Sequence, residues 1–390
     1  MTPFNFISPS ALIFGPDTIG SLPKRAAQFG TTLLLVTGSS SFSKSETWHA
    51  LHAEFIRNRL KCHQVSIPGE PSPEDIDPVV HRFRHTDIGV VIAVGGGSVL
   101  DAGKAISAML TQPGSVTDYL EGVGSRRHPG TKVPFIAVPT TSGTGSEATK
   151  NAVISRPGPD GFKKSLRHDN FVPEIAWVDP ALTLSCPQAV TAACGMDALT
   201  QLIEAFVSVQ ASPMTDALCR SGLEGFGQAL LTAALSDPGD LGARTRLSWG
   251  AYISGLALAN AGLGAVHGFA SVIGGKSTMS HGNVCGTLLA ETTRAVIDRL
   301  SADGNTAGLK KYAQAARLLD LAGDTRTDIS ACTRLVDTLY QWTQTLSLPR
   351  LGAYGITRNH LPAMAEATGI KNTPVTLSKE VLENILAARL

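Results

Sequence analysis

Asp197, Gln201, His267 and His281 are the residues whose types and spacing could hold a metal ion. Asp197 and Gln201 stand four apart in a stretch, 197–207, whose pattern predicts a helix. That spacing places both side chains on one helical face, one turn apart. His267 and His281 fall in an apolar, Gly-rich neighbourhood where an imidazole needs a reason to be. Two imidazoles, a carboxylate and an amide oxygen suit a divalent first-row ion such as Fe(II) or Zn(II). Hydrogen-bonded core histidines and a helix-capping Asp account for the same residues, and spacing does not separate the two readings.

A second set of residues could bind an anion. Ile88 to Val94, apolar almost throughout, predicts a central strand covered on both faces. It runs into Gly95-Gly96-Gly97-Ser98 and then a predicted helix, Val99 to Leu110. Glycines there let backbone N–H groups approach an anion at a helix N-terminus, and a pyrophosphate fits. A flexible linker is the bland alternative, but linkers do not join a buried strand to an amphipathic helix. The run is not G-x-G-x-x-G, so the usual dinucleotide fingerprint is not claimed. Asp101 and Lys104 could face the ligand or pair with each other, and pairing is the commoner outcome. After the strand Phe135 to Val138 comes a polar loop, 139–149, rich in hydroxyls and glycine. It reads as a turn capped by Ser146 or Thr144, or as donors for phosphates and a carboxamide. Lys163-Lys164 falls in a predicted hairpin, where a double lysine is ordinarily solvated surface.

Around these motifs the first half alternates strand-like and helix-like segments. Short strands are predicted at Ala11 to Phe14, Thr32 to Thr37 and Gln64 to Ile67, and helices at Thr47 to Leu60 and through Val80. Such alternation argues for a parallel α/β sheet, whose carboxyl edge would carry both loops. From about Cys186 the strand signals vanish and helix-period patterns run to Leu390. The fold class expected is therefore an α/β N-terminal domain with a parallel dinucleotide-binding sheet, residues 1–185, plus an all-α C-terminal domain, residues 186–390. Charged residues make up 17% of the 390 and balance to +1, which speaks against nucleic acid or an anionic membrane as partner. Six scattered cysteines without C-x-x-C, and no signal-peptide pattern, suit a reduced, cytoplasmic setting. The apolar stretch Tyr252 to Val266 carries Gly and Asn and falls short of a membrane span.

Taken together, the motifs resemble the iron-containing (group III) alcohol dehydrogenase family, nearly end to end. The markers are Gly95-Gly96-Gly97-Ser98 with Asp101 and Lys104, the run from Pro139 to Glu147, Gly195-Met196-Asp197-Ala198-Leu199-Thr200, and His267 followed by His281-Gly282. The resemblance implies a dehydroquinate synthase-like architecture, with NAD(P) on the α/β domain and a catalytic divalent metal in the interdomain cleft. It implies Asp197, His267 and His281 as metal ligands and catalytic residues. It also implies Thr140, Thr141, Thr144, Thr149 and Lys164 as cofactor contacts, beside Gly38, Ser39, Ser40, Gly95, Gly96, Gly97, Ser98 and Asp101. A homodimer acting on a small alcohol or aldehyde is the family expectation.

Two positions depart from the family pattern. Gln201 stands where the family usually has His, leaving a neutral and weaker fourth metal ligand. Ser271 stands where many relatives have a second His near the nicotinamide, so a proton relay there would use a hydroxyl and water. After Thr37 the chain has Gly38-Ser39-Ser40-Ser41 and no carboxylate until Glu46, which favours NADP(H) over NAD(H). Rival readings are a maleylacetate reductase- or glycerol dehydrogenase-like oxidoreductase, a dehydroquinate synthase-like lyase, and a catalytically quiet cofactor-binding protein.

Overall fold

The computed structural model describes residues 3–39, 42–156, 158, 161–321 and 323–390. Among these residues eight strands fall in the first half: β1 (Ala11–Phe14), β2 (Thr32–Thr37), β3 (Lys61–Ser66), β4 (Val90–Gly95), β5 (Phe135–Pro139), β6 (Asn151–Arg156), β7 (Phe162–Arg167) and β8 (Ile175–Val178). Six of them form one sheet in the order β1-β8-β5-β4-β2-β3, with every neighbouring pair parallel. β4 and β5 are buried at every residue, as their unbroken apolar runs require when both faces of a parallel sheet are covered. One face packs Trp48, Leu51 and Phe55 of the Glu46–Arg57 helix. The other packs the Pro73–Phe83 and Gly97–Met109 helices. Both crossover helices that precede β4 begin at serines: Ser45 accepts from the Trp48 amide, and Ser72 forms a capping box with Asp75.

The strand order reverses between β2 and β4. β3 lies outside β2 on one side, and the chain then crosses back to lay β4 on the other. Loops leaving β2 and β4 therefore diverge and open a crevice at the carboxyl edge, the usual place for a ligand on such a sheet. β6 and β7 form a separate antiparallel hairpin, with Ile154 opposite Lys164.

Past β8 the described chain is helical. The Gln188–Val207 helix is long and apolar enough to span a membrane by length and composition, but 89% of that window is buried inside the protein. Its apolar faces pack the largest core cluster, with the Leu241–Ala261 and His281–Ala302 helices alongside. At Gly262, φ 68°, the Leu241–Ala261 helix stops, and the Ala265–Gly274 helix departs at 97°. Positive φ is cheap only for glycine, so this residue makes the corner that brings His267 back over the Gln188–Val207 helix.

The elements match the expected architecture with three differences. β8 carries too short an apolar run to announce itself, yet it completes the sheet between β1 and β5. β3 begins at Lys61, three residues before the predicted Gln64, because its alternating polar pattern is that of an edge strand. Asp101 and Lys104 do not pair as expected. Asp101 accepts from Ser146 Oγ (2.6 Å) and the Val153 amide (3.0 Å), while Lys104 Nζ donates to the Ser146 and Asn151 carbonyls and to Thr149 Oγ1, each at 2.8 Å. Both residues anchor the 139–149 loop instead.

Candidate metal centre and cofactor cleft

Three helices supply the candidate metal ligands. Asp197 comes from Gln188–Val207, His267 from the first turn of Ala265–Gly274, and His281 is the first residue of His281–Ala302. Close approach of the backbones makes this convergence possible. A Cβ on Gly282 would lie 2.4 Å from the Ala193 carbonyl, so only glycine lets the third helix start against the first.

Asp197 is 1% exposed, and its Oδ1 lies 3.3 Å from His267 Nε2 and 3.6 Å from His281 Nε2. The fourth member of the cluster is Cys285, whose Sγ lies 3.7 Å from each Nε2. One donor atom from each of these four residues falls within 4.8 Å of the other three. Cys285 escaped the sequence reading, although it stands four residues after His281, the same one-turn spacing that paired Asp197 with Gln201.

Glu204 was missed as well. Its Oε2 accepts from His267 Nδ1 at 2.7 Å, and its Oε1 accepts from the Val266 amide at 2.7 Å. The Nδ1 proton is thereby fixed, and Nε2 faces the cluster, the arrangement by which a carboxylate orients a metal-ligating imidazole. Glu204 lies seven residues after Asp197, so the same helical face carries both.

The groups at the centre are buried and electrostatically coupled to one another. Burial pushes the Asp197 carboxyl up, but His281 and His267 outweigh it and hold the group below its ordinary value. Burial pulls His281 down to about 4, against the upward pull of the Asp197 carboxylate. His267 is pulled down by burial too, but Cys285, Asp197 and Glu204 carry it well above its ordinary value. Asp197 Oδ1 and His281 Nδ1 are nevertheless buried without a hydrogen-bond partner. A buried carboxylate oxygen without a hydrogen bond is costly unless a cation or donor meets it at bonding distance. The donor set and its orphaned oxygen fit a divalent metal.

Gln201 shares the Asp197 face, is 2% exposed, and uses its amide elsewhere. Its Oε1 accepts from Ser254 Oγ at 2.7 Å, and its Nε2 donates to the Thr144 carbonyl at 3.3 Å. Ser271 Oγ donates to the His267 carbonyl one turn back, at 3.0 Å.

Most of the expected cofactor residues lie on the loops at the sheet's carboxyl edge. The Thr140 amide donates to the Gly95 carbonyl at 2.9 Å. A Cβ on Gly97 would come within 2.6 Å of the Thr144 side chain, and one on Gly96 within 3.4 Å of Thr141. These glycines let the β4 and β5 loops touch and leave backbone amides at the start of the Gly97–Met109 helix, which carries Ser98, beside the crevice. Gly38 lies at the end of β2, its carbonyl accepting from Ser66 Oγ, and Ser39 is exposed next to it. Ser40 lies outside the described residues. Thr149 and Asp101 have their polar atoms taken up inside the loop network. Lys164 is exposed, and the alternation of β7 turns its neighbour Lys163 the other way, into a 2.6 Å ion pair with Glu70 beside Gly274.

The β5 loop also joins the two halves. Gly145, at φ 62°, meets Gly255 of the Leu241–Ala261 helix so closely that a Cβ on Gly255 would lie 2.1 Å from the Gly145 carbonyl. Ser142 and Ser248 are hydrogen-bonded at 3.0 Å across the same contact. Thr144 therefore touches the glycine loop through its side chain and, through its carbonyl, the residue one turn from Asp197.

Comparison with known proteins agrees with this geometry. The family model for iron-containing alcohol dehydrogenase matches residues 9–180, and that for the C-terminal part of the Fe-containing alcohol dehydrogenase family matches residues 191–390. Long-chain-alcohol dehydrogenase 1 of Geobacillus thermodenitrificans is 34% identical over 77% of this chain and 74% of its own. The NAD-dependent methanol dehydrogenase of Bacillus methanolicus is 33% identical over 81% of this chain and 84% of its own. Among solved structures, an alcohol dehydrogenase from Oenococcus oeni covers the whole of both chains at 28% identity and a TM-score of 0.87. With both halves matched and the cleft built between them, the chain belongs to the iron-containing alcohol dehydrogenase family.

Proposed function

We propose that the protein is a metal-dependent NAD(P)-linked alcohol dehydrogenase or aldehyde reductase for a small alcohol or aldehyde. The observation that carries this reading is the contact through Thr144, which sets the glycine loop and the Asp197 helix on either side of one residue. Asp197, His267 and His281 would hold the divalent ion, and Gly95, Gly96, Gly97, Ser98, Thr140, Thr141 and Thr144 would hold the dinucleotide. When bound, the metal supplies Lewis acidity toward a substrate oxygen, and the nicotinamide supplies or takes up the hydride.

The chain's own residues do the rest. Glu204 fixes the His267 ring and keeps Nε2 turned to the centre. Asp197 contributes a buried negative charge that offsets the ion. The paired loops fix the distance between cofactor and substrate, the positioning on which hydride transfer depends. Ser271 Oγ donates to the His267 carbonyl, so its proton would have to leave that bond before the hydroxyl and water could relay a proton on that side.

For the coenzyme, the lack of a carboxylate at Gly38 and Ser39 supports NADP(H) over NAD(H), since nothing there repels a 2′-phosphate. The methanol dehydrogenase relative is NAD-dependent, so initial rates with NADPH and NADH on one aldehyde decide the preference. The principal test is His267→Ala. Metal-dependent turnover of short aldehydes should vanish while NADPH still binds with affinity close to wild type. Unchanged turnover would remove His267 from the centre and the reading with it.

A further inference from the structure

We infer that Cys285, in place of Gln201, is the fourth protein ligand of the metal, and that the centre is a thiolate-ligated zinc site. The inference rests on the metal-dependent reading above and changes the ligand set and the ion.

Three observations carry it. The first is shape. Zn–N and Zn–O bonds of about 2.0–2.1 Å and Zn–S of about 2.3 Å give tetrahedral edges near 3.3 Å between N and O and near 3.6 Å between S and N. The cluster has Asp197–His267 at 3.3 Å, Asp197–His281 at 3.6 Å, and Cys285 at 3.7 Å from each imidazole. These four edges match a tetrahedral cage, and the remaining two lie within 4.8 Å.

The second is occupancy of the alternatives. Gln201 spends its oxygen on Ser254 and its nitrogen on Thr144, tying the metal helix to the Leu241–Ala261 helix and to the β5 loop. Its amide serves as a strut. Cys285 is fully buried, and its sulfur lies 3.7 Å from each of the two imidazoles.

The third is the orphaned carboxylate. Asp197 Oδ1 is buried, without a hydrogen-bond partner, and lies 3.3 Å and 3.6 Å from the two Nε2 atoms that the sulfur also meets. A cation there satisfies all four donors at once.

On binding, the Cys285 S–H bond is replaced by an S–metal bond and the proton leaves to solvent, with no change of oxidation state. A thiolate is a softer and more strongly donating ligand than an amide oxygen, and in this N, O and S set it favours zinc over Fe(II).

The test uses the full chain, stripped with a chelator and reloaded without oxygen. Zinc-edge X-ray absorption on the wild-type protein should show one sulfur neighbour at about 2.3 Å among lighter ligands. Cobalt(II) as a spectroscopic probe should bind once per chain and give an intense near-ultraviolet sulfur-to-cobalt charge-transfer band. That band should be lost in Cys285→Ser and kept in Gln201→Leu. One bound metal with only N and O neighbours, or a thiolate band that survives in Cys285→Ser, would overturn the Cys285 assignment and leave the dehydrogenase reading intact. Failure of the wild type to retain zinc or cobalt would overturn both. Should Cys285→Ser fail to fold, the absorption measurement on the wild type decides alone.

Discussion

Glu204 shows how much of the centre depends on residues that touch no metal. Its two oxygens hold the His267 ring on one side and the Val266 amide on the other, so ring and backbone are fixed together. Glu204→Gln keeps the shape but cannot accept at both atoms, so the His267 tautomer is no longer imposed. Loss of such an orienting partner costs roughly 10–100-fold in metal affinity. Chelator competition on the folded variant should show a loss of that order, with the circular dichroism spectrum unchanged. An unaltered affinity would mean that packing alone orients the ring.

The elements matter through where they touch. The β5 loop lies on the Leu241–Ala261 helix at a glycine–glycine contact with no room for a methyl group. Gly255→Ala would drive a Cβ into the Gly145 carbonyl, and backbone on both sides leaves little to give. Overpacking of this kind costs about 1–3 kcal/mol. Because Thr144 precedes Gly145, the same displacement should weaken dinucleotide binding, so urea titration and NADPH titration should both report a loss. Gly20→Ala is the control, since nothing lies within 4 Å of its Cβ. A Gly255→Ala protein with wild-type stability and NADPH affinity would show that this contact does not position the loop.

At the scale of the whole molecule, a metal at this centre would tie together helices that the chain visits far apart. Asp197, His267 and the His281–Cys285 turn come from three helices, each packed in the largest core cluster. An ion that binds only the folded arrangement stabilises it by mass action, about 2.7 kcal/mol at a concentration a hundredfold above Kd. Thermal melting after chelation should therefore begin at a lower temperature and recover on adding zinc. A melting temperature indifferent to zinc would contradict a site shared among the three helices.

The sequence by itself determined the parallel sheet, the two loops at its carboxyl edge and the helical second half, because these rest on local periodicity. A short, uninterrupted apolar run such as β4, closed by glycines, reads as a strand buried on both faces, and the glycines that follow it permit a close approach. One-turn spacing also put Asp197 and Gln201 on one face, as the helix bears out. Tertiary structure decided what each side chain does there. Only packing against Ser254 and Thr144 shows that the Gln201 amide is engaged, and only the third helix brings the Cys285 sulfur to the two imidazoles. Glu204 reads in sequence as an acid in an apolar helix until His267 folds over it. Strand alternation separates Lys163 from Lys164, but the hairpin's placement chooses which one meets Glu70. Periodicity is a property of a single element and is written in the chain. A coordination cage is a meeting of three elements, and its members are fixed only when those elements pack.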